Sequence, residues 1–276
     1  MAHLYGRRAG EAAGGGWGRE GKIMAGGLVL AGATNRGRLR QVSDVPFEAL
    51  IPLGGRVLVD YVVEALAGCA ELERVVVVGP AELSYLRRPP RVELVETADG
   101  LVDNLARGLR ELPADEHVLV ATGDIPLITP AVVEGFLAEC RALGDYDFYY
   151  AVIPRDVILS RYPGARRSWI GLRDQPVTGG NMFLLRPRAA LAILPLLRRV
   201  TDLRKSPFGL ASMLGPVLVV KYFLGRLTLG EAERRVRSHF HINGRAVVTR
   251  HPEVGIDVDK PADLELVTSI LSSRTS

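Results

Sequence analysis

Four short aliphatic runs in the first half of this chain leave little freedom in what it can fold into: residues 27–31 (GLVLA), 74–79 (RVVVVG), 92–95 (VELV) and 117–121 (HVLVA). A strand with one wet face alternates apolar and polar side chains, whereas a strand covered on both faces is apolar throughout. Runs this short are strand-length rather than helix-length. Helical stretches lie between them at 57–67 and 100–111 and after them at 130–143, the last opening on Pro130, where a helix has no use for the missing N–H. A further strand is predicted at 147–153. Buried strands alternating with helices predict an α/β domain with a doubly wound, mostly parallel sheet. Such sheets bind ligands outside the carboxyl ends of their strands.

Beyond Pro154 the pattern loosens. Strands are predicted at 181–185, 246–249 and 254–258, and helices at 187–200, in the stretch ending at Arg237, and from Pro261. With 276 residues, 47% of them hydrophobic, the chain can fill the core of one large domain. The expected organisation is a single domain over 24–276 with a helical insertion spanning 187–238. Residues 1–23 are Gly-rich and charged and lack the apolar stretch of a signal peptide. They are expected to be disordered, and Met24, just ahead of the first strand, is the expected start of translation.

The formal charge of +4 suits a partner bearing phosphates, but the arginines are scattered and not interleaved with aromatics, so nucleic acid is not expected. Cys69 and Cys140 are too few and too far apart for a disulfide framework or a zinc site; two reduced thiols point to a cytoplasmic protein. Residues 206–220 carry no charge, yet the stretch through 224 is too short and too interrupted by Gly and Pro to form a transmembrane segment. Core packing or a homodimer contact is the first expectation for 206–224, and peripheral membrane contact the second. His239 and His241 form an HxH pair with no third ligand near in sequence and are read as a strand-edge pair without a metal role.

Three segments carry residues suited to chemistry. The first strand runs into residues 30–39 (LAGATNRGRL), where small residues permit close approach of backbone N–H groups to a polyphosphate and Arg36 and Arg38 can neutralise it. It is neither a Walker A loop nor a dinucleotide fingerprint, and an ordinary loop would look much the same. Asp124, in Gly123-Asp124-Ile125-Pro126-Leu127, follows the fourth strand, where one carboxylate can anchor a Mg²⁺ that keeps its waters; alternatively it serves the turn before Pro126. In Gly255-Ile256-Asp257-Val258-Asp259 strand alternation sends both carboxylates to one face. Asp257 is the expected second metal ligand and Asp259 the expected N-cap of the final helix.

These segments, in this order, resemble the MobA-like nucleotidyltransferases, which include molybdenum cofactor guanylyltransferases and sugar-phosphate and polyol-phosphate cytidylyltransferases. The family's opening LAGG loop is approximated by 30–39, its metal-binding Gly-Asp-x-Pro-Leu by 123–127, and its closing Asp/Asn-x-Asp/Asn-x-Pro-x-Asp-Leu by 257–264. Residues 49–56 (ALIPLGGR) match a further stretch leading into a helix. The resemblance implies the three-layer nucleotidyltransferase fold and a nucleotide site formed by Leu30, Ala31, Gly32, Ala33 and Arg36, with Gly100 and Asn104 at the base. It implies an acceptor loop at 177–181 that includes Gly180 and Asn181, and Mg²⁺ on Asp124 and Asp257. Ala33 replaces the second Gly of LAGG. Glu48 stands where the family has a Lys that touches the triphosphate, and a carboxylate about 4 Å from a phosphate would be repelled by roughly 4 kcal/mol at an effective dielectric near 20. Glu48 must therefore turn away, bind a cation, or mark lost activity, while Arg36, Arg38 and Arg40 can supply the missing charge.

The expected function is Mg²⁺-dependent transfer of a nucleotidyl group from a nucleoside triphosphate, CTP or GTP, to a phosphorylated small-molecule acceptor, with Asp124, Glu48 and Arg38 at the reacting phosphates. The alternatives are a sugar-nucleotide-dependent glycosyltransferase, for which Asp257-Val258-Asp259 offers a DxD, and a nucleotide-binding regulator that has lost catalysis.

Overall fold

The structure, a computed structural model, describes residues 25–203 and 215–275. β1 (Ala25–Leu30) carries the first aliphatic run. Two single-turn 3-10 helices follow, at Arg38–Gln41 and Glu48–Leu50, and then the small hairpin of β2 (Pro52–Leu53) and β3 (Arg56–Val57). The chain continues through α1 (Leu58–Gly68), β4 (Leu72–Gly79), β5 (Val92–Glu96), α2 (Leu101–Arg110), β6 (Val118–Thr122), α3 (Pro130–Ala142), β7 (Phe148–Pro154) and α4 (Arg155–Arg161). The second half holds β8 (Ile170–Gly171), β9 (Pro176–Leu185), α5 (Pro187–Ala192), α6 (Leu194–Leu203), α7 (Pro216–Phe223), α8 (Leu229–Phe240), β10 (Gly244–Val248) and α9 (Pro261–Thr275).

One sheet takes the strand order β10-β7-β9-β6-β1-β4-β5, with β8 paired to β9. β1 is parallel to both β4 and β6, β4 to β5, and β10 to β7, so the sheet is mostly parallel as expected. β9 is the exception, running antiparallel between β6 and β7. From β1 the chain steps outward to β4 and β5, then returns to lay β6 on the other side of β1. The strand order therefore reverses at β1, the kind of switch point where open α/β sheets leave a crevice at their carboxyl ends.

The runs of β1, β4 and β6 are apolar because each of these central strands is covered twice. Val29, Val75, Val77, Leu119 and Ala121 pack with Val59, Val62 and Leu66 of α1 and with Val133 and Phe136 of α3. Their neighbours Leu28, Val76, Val78, Val118 and Val120 point to the opposite face, against Leu109 of α2 and Ala190 of α5. A third cluster caps the carboxyl end of the sheet, joining Leu39, Leu58, Leu127, Ile153, Ile256, Val258 and Val267. α3 begins as its sequence suggests, with Pro130 in the first turn and Thr129 Oγ1 accepting from the Val132 N–H (3.4 Å).

Three expectations need correction. Residues 254–258 form no strand: Pro252–Gly255 is a 3-10 helix, and the run is apolar because Val254, Ile256 and Val258 are buried against the sheet's end rather than paired in it. The expected helix at 187–200 is two helices, broken at Ile193, because Pro195 carries no N–H and fits only a first turn. His239 and His241 lie not on a strand edge but at the end of α8, where His241 adopts φ of 53°. The expectations for residues 1–23, for Met24 as start and for 206–214 fall outside the described residues.

Candidate functional site

The turn after β1 is tied to both neighbouring strands. The Ala31 N–H donates to Val78 O (2.8 Å), and the Gly123 N–H donates to Leu30 O (2.9 Å). Leu30 and Ala31 thus hold the loop in place through their own backbone bonds. Gly32 comes next, and a methyl group there would collide with Thr97 Oγ1 and Asn104 Nδ2. The chain then makes a closed excursion pinned by Asn35, which is 2% exposed. Its N–H donates to Pro46 O (2.9 Å) and its Nδ2 to Ser43 O (2.8 Å) and Val45 O (3.1 Å). The Glu48 N–H closes the loop on Ala33 O (3.0 Å). Ala33, Arg36 and Arg38 stand exposed on its outside.

Asp124 leaves β6 half-buried, with Oδ1 accepting from the Thr122 hydroxyl. Its carbonyl accepts from the Val258 N–H (2.9 Å), which draws the segment before α9 across the end of the sheet. Burial of Ile256 and Val258 leaves Asp257 and Asp259 facing the other way, as alternation predicts even without a strand. Carboxylate oxygens of Asp124, Asp257 and Asp259 lie within 4.8 Å of one another. Asp257 is buried and ion-paired with Arg167, whose Nη1 also donates to Asp257 O (3.2 Å). Asp259 is exposed and does not take the expected capping place, since Lys260 is the residue preceding α9. Asp263 instead closes that turn, accepting from the Asp259 N–H (3.2 Å).

Crowding sets the electrostatics. Burial, with the charge of Asp259 added, pushes Asp124 up to about 6 against the opposing Thr122 hydrogen bond and Arg167. Burial, followed by the charges of Asp124 and Asp259, raises Glu48 to about 7. The Glu48 carboxyl thus lies within the field of the cluster. A group of carboxylates short of positive charge, offering hard oxygen donors at one point, fits Mg²⁺ with several of its waters retained.

Residues 27–206 match the MobA-like NTP transferase domain. The chain belongs to that family. A hypothetical transferase from Thermus thermophilus is 36% identical and superposes with a TM-score of 0.76, over 88% of this chain and all of that one (100%). A CMP:2-keto-3-deoxy-manno-octonic acid synthetase complexed with CTP is 13% identical, with a TM-score of 0.55 over 91% of this chain and 99% of that one. A 4-diphosphocytidyl-2C-methyl-D-erythritol synthase from Anaerococcus prevotii is 11% identical, with a TM-score of 0.54 over 90% of this chain and 96% of that one. The last two establish a shared fold. No curated protein sequence matches. This MobA-like chain is accordingly an enzyme of the nucleotidyltransferase family.

The remaining expected residues divide by environment. Asn104 is buried, its Oδ1 accepting from the Thr97 hydroxyl (3.0 Å) and the Ala98 N–H (2.6 Å), so it braces the β5–α2 connection while Nδ2 faces Gly32. Gly100 precedes α2 at φ of 93°, exposed, with open space where a Cβ would stand. Gly180 and Asn181 lie within β9 rather than in a loop. The Cβ position of Gly180 is filled by Ala151, Ile153 and Val254, so packing alone requires glycine there. Asn181 is half-buried one step beyond the Ala121–Met182 pair, which sets it beside Thr122 at the site's end of the sheet. Sequence reading missed Arg167, Asn35 and Thr97. Arg167 sits in an aperiodic stretch with nothing to single it out, while Asn35, amid small and basic residues, could have been noticed as a short amide suited to tying a loop.

Proposed function

We propose that this enzyme transfers a nucleotidyl group from CTP or GTP to a phosphorylated small-molecule acceptor, with release of pyrophosphate. The observation that carries the reading is the convergence of Asp124, Asp257 and Asp259 beside the glycine loop at the β1 switch point. Asp124 and Asp257 would hold Mg²⁺, and Glu48, within the field of the same cluster, would act as a further cation ligand. Bound there, the ion supplies positive charge to the reacting phosphates.

The protein's own work is positioning. Gly32 and Ala33 offer backbone to the triphosphate, and Arg36 and Arg38 offer charge on the exposed side of the loop. Gly100 receives the base, with Asn104 bracing the connection beneath it next to Thr97, while Asn181, with Gly180 packed behind it, borders the acceptor. The acceptor's phosphate oxygen attacks the α-phosphorus in line, and the bond from that phosphorus to the bridging oxygen breaks as pyrophosphate leaves. The attacking oxygen is already anionic at neutral pH, so no general base is required.

A pyrophosphate-release screen of ATP, GTP, CTP and UTP against phosphorylated sugars, polyols and cofactors tests this. One productive CTP or GTP pair, dependent on Mg²⁺, is the expected result. Turnover of sugar nucleotides instead would assign a glycosyltransferase, and nucleotide binding without pyrophosphate from any pair would assign a regulator.

A further inference from the structure

We propose that α7 docks this enzyme on an anionic membrane surface. Val217, Val220, Phe223 and Leu224 are 68%, 57%, 78% and 62% exposed, while Leu218 turns inward. At about 100° per residue the three on the helix fall within one third of its circumference, and Leu224 follows at the C-cap. A helix lying on a protein surface ordinarily presents charge on that face. Here it presents two valines and a phenylalanine, with Leu224 just past its end. Basic groups border the patch: Lys221, held by Glu231 at 2.5 Å, and the exposed Arg226 just past the helix. Arg234 is exposed on α8. From residue 216 to 240 there are five Lys or Arg and two Glu.

Position and charge together select the occupant. The Leu229 N–H donates to Asp174 Oδ2 (3.2 Å) and the Arg173 N–H to Leu227 O (2.8 Å), so the α7–α8 turn rests on the β8–β9 connection. That connection leads into the end of β9 that lies beyond Thr122, the same end of the sheet as the carboxylates. A second copy of the chain is the weaker match. An eight-residue helix about 12 Å long presents only part of the roughly 800 Å² per partner that a stable dimer needs. Anionic lipid offers both a shallow apolar layer for Phe223 and Leu224 and counter-charge for the basic border. No described helix is long and apolar enough to cross the bilayer, so the contact is with one leaflet.

Flotation of the full chain, without nucleotide, on phosphatidylcholine vesicles with and without phosphatidylserine tests the inference independently of the transfer reading. The chain should float with the anionic vesicles and not with the neutral ones. The double variant Phe223→Ser, Leu224→Ser should bind at least about tenfold more weakly with an unchanged melting temperature, since both side chains are exposed. Arg226→Glu and added salt should weaken binding as well. Failure to bind anionic vesicles, or equal binding by the double variant, overturns the proposal. So does a concentration-dependent dimer, seen by ultracentrifugation, that the same double variant abolishes, because it assigns the face to a second copy.

Discussion

Asp124 is held by three separate constraints: the end of β6, the Thr122 hydroxyl, and a carbonyl that anchors Val258. Only the carboxylate itself is in excess of what the fold needs, since burial and the nearby Asp259 raise its proton affinity. Asp124→Asn keeps shape and the capacity to accept from Thr122 while removing the charge. It should lower Mg²⁺-dependent turnover more than about 100-fold, beyond the loss of an outer-sphere partner, and should not lower the melting temperature. Near-normal turnover in a Mg²⁺ titration would end the assignment of Asp124 as metal ligand. Glu48 belongs to the same local problem. Its carboxyl feels the Asp cluster, so it adds to the site's negative charge rather than standing apart from it.

At the scale of elements, the loop after β1 and the segment before α9 owe their shape to different physics, and they fail differently when altered. Gly32→Ala places a methyl against Thr97 and Asn104 and should cost about 1–3 kcal/mol in stability through overpacking, with weakened nucleotide binding measured by calorimetry. Unchanged binding would remove Gly32 from the site. Before α9, Asp263→Ala should cost about 1 kcal/mol by freeing the Asp259 N–H, whereas Asp259→Ala should not lower stability without metal and should weaken Mg²⁺ binding. Thermal melts of the two variants with and without Mg²⁺ check this, and the reverse pattern would exchange their roles. The sequence made β1, β4, β6 and their helices legible because Val75–Val78 and Val118–Ala121 are buried on both faces, a condition that leaves a plain mark. It misled at 254–258 because burial against a sheet's end looks like burial within a sheet. The antiparallel place of β9 was illegible, since Val177–Leu185 carries no signal of which neighbours it pairs with. Asp124 and Asp257 could be picked out by their place at strand-like ends, but their meeting with Asp259, Glu48 and Arg167 depends on the third apolar cluster, a long-range contact set with no local trace.

For the whole molecule, the crowded carboxylates link stability to both proton and Mg²⁺ concentration. Glu48 and Asp124 have folded-state values of about 7 and about 6, above the usual carboxylate range, so the folded chain binds these protons more tightly than the unfolded chain does. Their contribution to stability is fully present below the unfolded values near 4, and it is lost as pH rises through 6 and 7. Other groups titrate over the same range, so the informative quantity is a difference between proteins. Without metal, Glu48→Gln should be no more stable than wild type at pH 5 and more stable by about 1–2 kcal/mol at pH 8, a figure discounted for the solvent that reaches Glu48. Added Mg²⁺ should reverse that order at pH 8, because it binds the deprotonated wild-type cluster, and binding to the folded state alone raises the melting temperature. At pH 5 the ion competes with protons and should do little for either protein. Denaturant melts at the two pH values, each with and without Mg²⁺, contain the whole test. A gap between the proteins that does not change with pH would show that Glu48 is not coupled to the cluster. A Mg²⁺ shift as large in Glu48→Gln as in wild type would show that the ion is held by the aspartates without it.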